Sequence, residues 1–355
     1  MSRSLRVASI AATVVATVAA LATTSLTAAV AAPATVSAYR VAGADRVATA
    51  VQASQFVWDD AGTTDGAIAQ AVVLSRHDQY ADALGGSALA GAAGGPLLLT
   101  HTTSIDSITM NEVNRILGGE GIVYLLGGTG AISGQAQESL TKKGYSIVRL
   151  AGADRFETSV KVATEVGKFA NGGHPQFIFA TTGQNFPDGL AAGATAGGYT
   201  AAVVLTRDSL LPTSVKSYLI AERSAGTEIY AIGGASAKAP FNWTDALVGK
   251  DRYETAAELA KAFWGDGATT DDDPTALALA TGENWPDALA GGALIASWGP
   301  LLLTQPTRFT TTTKSAVSAI VTAQDPRTVE VGVVLGGTAA VSDPVKNAFE
   351  SVLNS

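Results

Sequence analysis

The chain has 355 residues, of which 47% are hydrophobic, 38 are glycine and none is cysteine. Charged residues make up 15%, and the formal net charge is -8 because 31 acidic residues outnumber 23 basic ones. This composition excludes an intrinsically disordered chain, disulfide bonds, thiolate metal sites and a cysteine nucleophile, and it argues against nucleic acid as a partner, which would require a basic surface.

The first 32 residues have the form of a secretory signal peptide. Arg3 and Arg6 give a basic start, a long Ala/Val/Thr run follows, and small residues close the segment. We predict export with cleavage after Ala31 or after Ala38, and the alternative is an uncleaved membrane anchor. No later segment is apolar enough to span a bilayer, so no membrane contact is expected after cleavage. Loss of the two arginines leaves 21 basic residues against 31 acidic ones, a net charge of about -10.

Three motifs recur in a fixed order, which predicts three tandem lobes at residues 39–146, 147–244 and 245–355. The first motif, Gly-x-Asp-Arg-x-x-Thr, begins at Gly43, Gly152 and Gly249. Its aspartate is followed three residues later by glutamate in lobes two and three, and this spacing is typical of a helix N-terminus. We therefore predict that a helix begins at the arginine of each motif: Arg46, Arg155 and Arg252.

The second motif is a strand, a turn, an Ala/Gly-rich helix and another strand. In lobe three an apolar run leads into TGENWPDALAGGALIASWGPLLLT, which extends from Thr281 to Thr304. Pro286 suits the first turn of a helix, and an acidic residue beside it faces the positive end of the helix dipole. The acidic residue and the threonine that ends the second strand recur in every lobe, as Asp82, Asp188 and Asp287 and as Thr100, Thr206 and Thr304.

The third motif is an apolar run that ends in Gly-Gly, which permits a tight turn from a strand into a helix. Ser133 and Ser342 can cap that helix in lobes one and three. In lobe two Ala237, Lys238 and Pro240 follow instead, and they predict that the helix is shortened or lost. In lobe one the Gly-Gly turn and the residues up to Ser133 partly match a dinucleotide-binding fingerprint, but serine replaces the last glycine and the other lobes lack the spacing. No nucleotide or other cofactor is therefore predicted.

Each lobe thus reads helix, strand, helix, strand, helix, strand and usually a final helix. Nearly continuous apolar runs are typical of buried parallel strands, so we predict an α/β fold of three tandem lobes, each a small doubly wound, mainly parallel sheet with flanking helices. An acidic stretch at residues 269–274 occurs in lobe three alone. We interpret it as a solvated insertion and predict no metal there, because it lacks the spaced ligands of a calcium loop, although calcium is the alternative.

The recurring residues follow strands, and in a parallel sheet all strand carboxyl ends share the edge where ligands bind. Turn and cap roles explain the aspartates adequately. They do not explain the arginines, because a cation in the first helical turn is disfavoured by about 0.3–1 kcal/mol. Each arginine is expected to pair with a carboxylate or to bind an anionic or hydroxyl-rich ligand, and we expect Asp287 to orient Arg252. The predicted ligand-binding residues are Arg46, Asp82, Thr100, Arg155, Asp188, Thr206, Arg252, Asp287 and Thr304.

No catalytic residue is predicted. The histidines His77, His101 and His174 occupy unrelated positions in the repeats, so no histidine recurs beside a recurring serine or acid. Asp45 and Asp82 could supply the two carboxylates of a glycosidase, but both have structural explanations. Three copies of a weak site favour binding along a polymer, because linked sites multiply avidity.

Together the motifs resemble those of the cell wall binding repeat type 2 family. The set comprises Gly-x-Asp-Arg-[Phe/Tyr]-Glu-Thr, Asn-[Phe/Trp]-Pro-Asp-[Gly/Ala]-Leu, Leu-Leu-Leu-Thr and Leu-Gly-Gly, and it covers the mature chain. The resemblance implies three lobes around a pseudo-threefold axis. It also implies a non-catalytic module at the surface of Gram-positive bacteria that holds an anionic wall polymer or glycan non-covalently. Lobe three matches best, so binding roles carry over best to Arg252, Asp287 and Thr304; Tyr80-Ala81 departs from the pattern in lobe one.

Two other functions stay open from the sequence: a secreted carbohydrate-active hydrolase that uses the same edge, and a surface-layer component whose main partner is another copy of the chain. An enzyme requires one lobe with an acid or base pair that the other lobes lack. An acidic chain that binds a polyanion requires shielded arginines, a neutral glycan segment or a bridging divalent cation, and the sequence does not choose among them.

Overall fold

The computed structural model describes residues 35–265, 273–324 and 328–355. The predicted signal peptide lies outside these ranges, as does most of the acidic stretch of lobe three. Within the described ranges no helix combines the length and the apolar character that crossing a membrane requires.

The three lobes repeat one order of elements. Lobe one comprises β1 (Ser37–Val41), α1 (Arg46–Val57), β2 (Ala71–Arg76), α2 (Gly86–Ala93), β3 (Leu97–Thr100), α3 (Ser107–Leu117), β4 (Ile122–Leu126) and α4 (Gly134–Thr141). Lobe two comprises β5 (Ser146–Leu150), α5 (Arg155–Gly167), β6 (Phe177–Thr182), α6 (Pro187–Gly198), β7 (Ala202–Thr206), α7 (Thr213–Ser224), β8 (Glu228–Ile232) and α8 (Gly234–Ala237). Lobe three comprises β9 (Asp245–Leu247), α9 (Arg252–Trp264), β10 (Ala276–Thr281), α10 (Pro286–Ile295), β11 (Leu301–Thr304), α11 (Thr311–Thr322), β12 (Val331–Leu335) and α12 (Asp343–Leu353).

The first helix of each lobe begins at the predicted arginine because an aspartate caps it. The carboxylate of Asp154 accepts from the backbone N–H groups of Phe156 and Glu157, and the carboxylate of Glu157 in turn accepts from the N–H of Ala153. Asp251 caps α9 in the same way, whereas Asp45 caps α1 through the N–H of Ala48 alone. The prediction for lobe two is also confirmed, since α8 has only four residues.

The described ranges contain three four-stranded sheets with parallel strand pairs, which confirms the predicted α/β class. The strand orders are β3-β2-β4-β5, β7-β6-β8-β9 and β11-β10-β12-β1. The fourth strand of each sheet is the short strand that precedes the next Gly-x-Asp-Arg motif. Sequence reasoning predicted three strands per lobe and missed this one, so every sheet is completed across a lobe boundary.

The N-terminal strand closes the three lobes into a ring. β1 pairs with β12 along its whole length, from Ser37 opposite Val331 to Val41 opposite Leu335. The side-chain amide of Asn354 accepts from the N–H of Val36 and donates to its carbonyl, both at 2.8 Å. The two ends of the described chain therefore meet in the sheet of lobe three.

The centre of the ring is formed by α2, α6 and α10, which we call the axial helices. Each packs against the other two, as the pseudo-threefold arrangement requires. Their small residues allow close approach, because a Cβ atom on Gly91 would lie only 2.6 Å from the Cα of Gly197. Ser87 of α2 donates to the carbonyl of Leu289 in α10 at 2.8 Å, so a buried hydrogen bond also joins lobes one and three.

Candidate functional site between the lobes

The predicted site residues come together at the junctions between lobes. The first helix of each lobe packs on the axial helix of the lobe before it: α5 on α2, α9 on α6 and α1 on α10. The arginine that begins each first helix therefore lies on the side of the preceding lobe, whose axial helix carries an aspartate in its first turn in lobes two and three (Asp188 and Asp287) and just before it in lobe one (Asp82). A complete site is consequently built from two lobes.

Each arginine is fixed by a backbone carbonyl just after the strand that follows its helix, which is β2, β6 or β10. Nη1 of Arg46 donates to the carbonyl of His77 at 2.9 Å, and Nη1 of Arg155 donates to that of Gly183 at 2.7 Å. Arg252 makes the equivalent bond to Gly282. These bonds help to offset the unfavourable position of a cation in the first helical turn.

Two of the arginines also lie over an aromatic ring of the preceding lobe. The guanidinium carbon of Arg46 lies 5.6 Å from the ring centre of Trp285, and that of Arg252 lies 6.0 Å from the ring centre of Phe186. Such cation–π contacts contribute about 0.5–2 kcal/mol, depending on desolvation. The arginines thus hold neighbouring lobes together.

The expected pairing of Arg252 with Asp287 is wrong, because the charges are matched across the junctions. The carboxylate of Asp188 in lobe two is attracted by Arg252, whereas that of Asp287 is hydrogen-bonded by Thr49 and attracted by Arg46. In the described part of the chain neither pair is close enough to form a salt bridge. The attraction acts across a gap at both junctions.

Each aspartate lies against the glycine pair that ends the third strand of its own lobe. A Cβ atom on Gly233 would lie 2.0 Å from Oδ2 of Asp188, and Gly233 has a φ of 88°. Because a side chain there would be strained by the positive φ and would also collide with the carboxylate, only glycine fits. The equivalent distances are 2.5 Å between Gly127 and Asp82 and 2.4 Å between Gly336 and Asp287.

The half-buried carboxylates are costly to ionise. Burial raises the pKa of Asp188 to about 6, and Arg252 only partly opposes this effect. Burial also raises the pKa of Asp287, against the hydrogen bond from Thr49 and the charge of Arg46. Ionisable groups with perturbed pKa values are concentrated at functional sites, so these two aspartates mark the junctions as candidates.

The three predicted threonines lie elsewhere, beneath the surface. Thr100, Thr206 and Thr304 have no exposed area, and their hydroxyl groups donate to carbonyls in the loop that follows the strand. Thr206 reaches the carbonyl of Asp208 at 2.8 Å, and Thr304 that of Arg308 at 3.0 Å. They hold the loop that borders the site, whereas the arginines and aspartates are brought to the junctions.

A cleft of about 370 Å³ opens at the junction of lobes two and three. Its floor is near the short helix α8. The polar groups that line it are Thr182, Asn185, Asp188, Asp208, Lys250, Asp251, Arg252 and Thr255. A cleft of this size with converging polar groups is typical of a ligand-binding site.

Three aromatic rings, one from each lobe, meet near the pseudo-threefold axis. The ring centre of Tyr80 lies 5.6 Å from that of Phe186 and 6.4 Å from that of Trp285. The Tyr80 hydroxyl donates to the carbonyl of Gln184 at 3.0 Å, which joins lobes one and two. Sequence reasoning recorded these rings only as helix-opening steps, although an aromatic residue two positions before each aspartate was a visible signal.

Lobe one differs at the position of Gly183 and Gly282, where it has His77. A Cβ atom on Gly282 would lie 2.8 Å from the ring of Tyr253, but lobe one has the smaller Val47 at the position of Tyr253 and so leaves room for a side chain. The imidazole of His77 contacts that of His101, with 4.1 Å between ring centres. Burial and the neighbouring His101 lower the pKa of His77.

Comparison with known proteins gives one family. A family model described as Cell wall binding domain 2 matches residues 40–137, 149–239 and 246–346, which confirms the three repeats. The chain is 24% identical over 324 residues to N-acetylmuramoyl-L-alanine amidase LytC of Bacillus subtilis (strain 168), covering 89% of this chain and 58% of that protein. It is 27% identical over 173 residues to the amidase enhancer of the same organism, covering 49% of this chain and 22% of that protein.

Solved structures share the fold. Cwp8 from Clostridium difficile superposes with a TM-score of 0.73 at 23% identity, covering 90% of this chain and 52% of that one. Cwp6 from the same organism gives a TM-score of 0.74 at 24% identity, covering 90% and 48% respectively. The chain therefore spans about half the length of these structures.

Proposed function

The chain belongs to the Cell wall binding domain 2 family, and we propose that it is exported and holds an anionic polymer of the Gram-positive cell wall non-covalently at its lobe junctions. The observation that carries the proposal is the arginine–aspartate arrangement, which is built from two lobes at the junctions of lobes two and three and of lobes three and one. At the junction of lobes two and three this arrangement lines an open cleft of about 370 Å³.

The arginines are the proposed contacts for the anionic groups of the polymer. Arg252 donates from Nη1 to the carbonyl of Gly282, and Arg252 and Lys250 both line the cleft. A guanidinium presents several N–H donors in a planar fork that suits phosphate and carboxylate oxygens. Backbone carbonyls hold these cations, the aspartates attract them across the junctions, and the buried threonines support the loops around them.

Two cations at the junction of lobes two and three, Lys250 and Arg252, are the proposed means by which an acidic chain holds a polyanion. The Debye length is about 8 Å at physiological ionic strength, so distant surface acids are largely screened from a ligand bound beside Arg252. Because the arginines recur around the ring, one polymer can engage more than one junction, and linked weak contacts add avidity.

We also propose that the chain performs no catalysis of its own. Of the three acids that line the cleft, Asp208 accepts from the hydroxyl of Thr182 at 2.9 Å and Asp251 caps α9. These two carboxylates are engaged in the fold, which leaves Asp188 without an acid partner for hydrolysis. The amidase match covers 58% of that enzyme, and its activity is not carried over to this chain.

The experiment is co-sedimentation of the full purified chain with isolated cell walls, before and after the anionic polymer has been extracted. We expect the protein to sediment with intact walls and to stay in solution with extracted walls. Equal binding to both preparations would overturn the anionic polymer as the ligand. Release of soluble sugars or muropeptides from walls by the purified chain would contradict the non-catalytic role.

A further inference from the structure

Asp188 is the unsatisfied acid of the cleft between lobes two and three. In the described part of the chain it accepts no hydrogen bond, whereas Asp208 and Asp251 both do. One side of its carboxylate presses on Gly233, where a Cβ atom would lie 2.0 Å away. Packing therefore holds the carboxylate in place, and its protonation can change when a ligand enters the cleft.

The charges around Asp188 come from three segments. Arg252 approaches from α9, Lys250 and Asp251 from the turn before α9, and Asp208 from the loop after β7. Lys250 is held only loosely, since its Nζ lies 3.8 Å from Oε1 of Glu254 and its side chain is 68% exposed. With Asp188 ionised the cleft has three acids against two bases, and with Asp188 protonated the charges balance.

We propose that this cleft takes up its anionic ligand together with a proton on Asp188, so that acidification strengthens attachment to the wall. The inference rests on the proposed function and adds a regulation to it. An ionised Asp188 repels an anionic group bound by Lys250 and Arg252, whereas the protonated acid donates a hydrogen bond to it. By linkage, a bound anion raises the proton affinity of Asp188 by the same factor by which the proton raises anion affinity.

Burial supports the proposal because it raises the pKa of Asp188 to about 6, close to the pH range in which bacteria grow. The junction of lobes three and one offers a matched control. There the Thr49 hydroxyl opposes the rise in the pKa of Asp287, whereas no hydroxyl of the described chain opposes the rise in the pKa of Asp188. Asp287 is therefore expected to respond less.

The test is isothermal titration calorimetry of the full chain with the anionic polymer extracted from walls, at pH 5.5, 6.5 and 7.5. Each titration is run in two buffers of different ionisation enthalpy, which counts the protons taken up. We expect affinity to rise as the pH falls, by at most about tenfold per pH unit for one proton, with net proton uptake at pH 6.5–7.5.

The Asp188→Asn protein is expected to bind with the acid-like affinity at every pH and to take up no proton. Asp287→Asn is expected to keep the wild-type pH dependence, and any titration of the polymer itself appears in all three proteins. Two results would overturn the inference and leave the proposed function intact. One is wild-type binding that is independent of pH or weaker in acid, and the other is an unchanged pH dependence in Asp188→Asn. Absence of binding at every pH would overturn the proposed function as well.

Discussion

Replacing Asp188 by asparagine is expected to stabilise the folded protein at neutral pH. Burial raises the pKa of this carboxyl from 3.8 to about 6. The folded state therefore binds a proton more tightly than the unfolded state, and the stability from this group is fully present below pH 3.8. It is lost as the pH rises through about 6.

The size of the effect follows from the displacement of the pKa. Each pH unit corresponds to about 1.4 kcal/mol, so ionised Asp188 costs the folded state about 3 kcal/mol at pH 7.5. Asparagine removes the charge at nearly the same volume but also removes the attraction to Arg252. We expect Asp188→Asn to raise the unfolding free energy by about 1–3 kcal/mol at pH 7.5 and to change it little at pH 4.

The assay is urea denaturation of the full chain at pH 4, 5, 6 and 7.5, compared with Asp208→Asn as the control. Asp208 accepts a hydrogen bond from Thr182 at 2.9 Å, so its replacement should not stabilise the protein at any pH. An Asp188→Asn protein that is no more stable than wild type at pH 7.5 would refute the electrostatic reasoning. A carboxylate that weakens the fold at neutral pH is expected at a site selected for function.

Three further outcomes follow from the packing. Gly233→Ala should lower the unfolding free energy by more than about 1 kcal/mol, because the new methyl group collides with Asp188 at a positive φ. Gly234→Ala should not, because its methyl group would lie 3.5 Å from its nearest neighbour. Equal melting temperatures of the two variants would contradict this. The mature protein should begin at Ala32 and not at Tyr39, because a start at Tyr39 removes the first two residues of β1, which pair with β12; mass spectrometry of the wall-associated protein decides. Calorimetry should show one unfolding transition, because one buried cluster extends through all three lobes, and separate transitions would show that the lobes are independent.

The sequence predicts most helices and strands of this fold but not the fourth strand that completes each sheet. The capping aspartates and the buried apolar runs predict where α1, α5 and α9 begin and which strands form the sheet centres. The fourth strands are not predicted because they are short or polar. β9 has three residues, and β5 has the sequence SIVRL with Arg149 at its fourth position. Edge strands need no continuous apolar run, since one side of each is open.

Sequence reasoning names the arginines and aspartates that lie at the junctions but does not predict how they pair. Repeats place Arg252 and Asp287 in the same lobe, but packing joins each arginine to the preceding lobe, and a repeated sequence carries no information about which neighbour it contacts. The role of Thr304 was also hidden. A threonine at a strand end suits a ligand contact or a buried turn, and the fold of the next loop, which brings the carbonyl of Arg308 within 3.0 Å, decides between them.

The central claim, that the lobe junctions hold an anionic wall polymer, is tested most directly by reversing a charge that the fold does not need. Lys250 lines the cleft, and its side chain is 68% exposed. Lys142, the residue that follows α4, is 72% exposed and, like Lys250, forms a salt bridge with a glutamate four residues away. In co-sedimentation with intact walls, Lys250→Glu should lose most of its binding while Lys142→Glu binds like wild type. Equal binding by Lys250→Glu and wild type, or equal losses in both variants, would contradict binding at this junction.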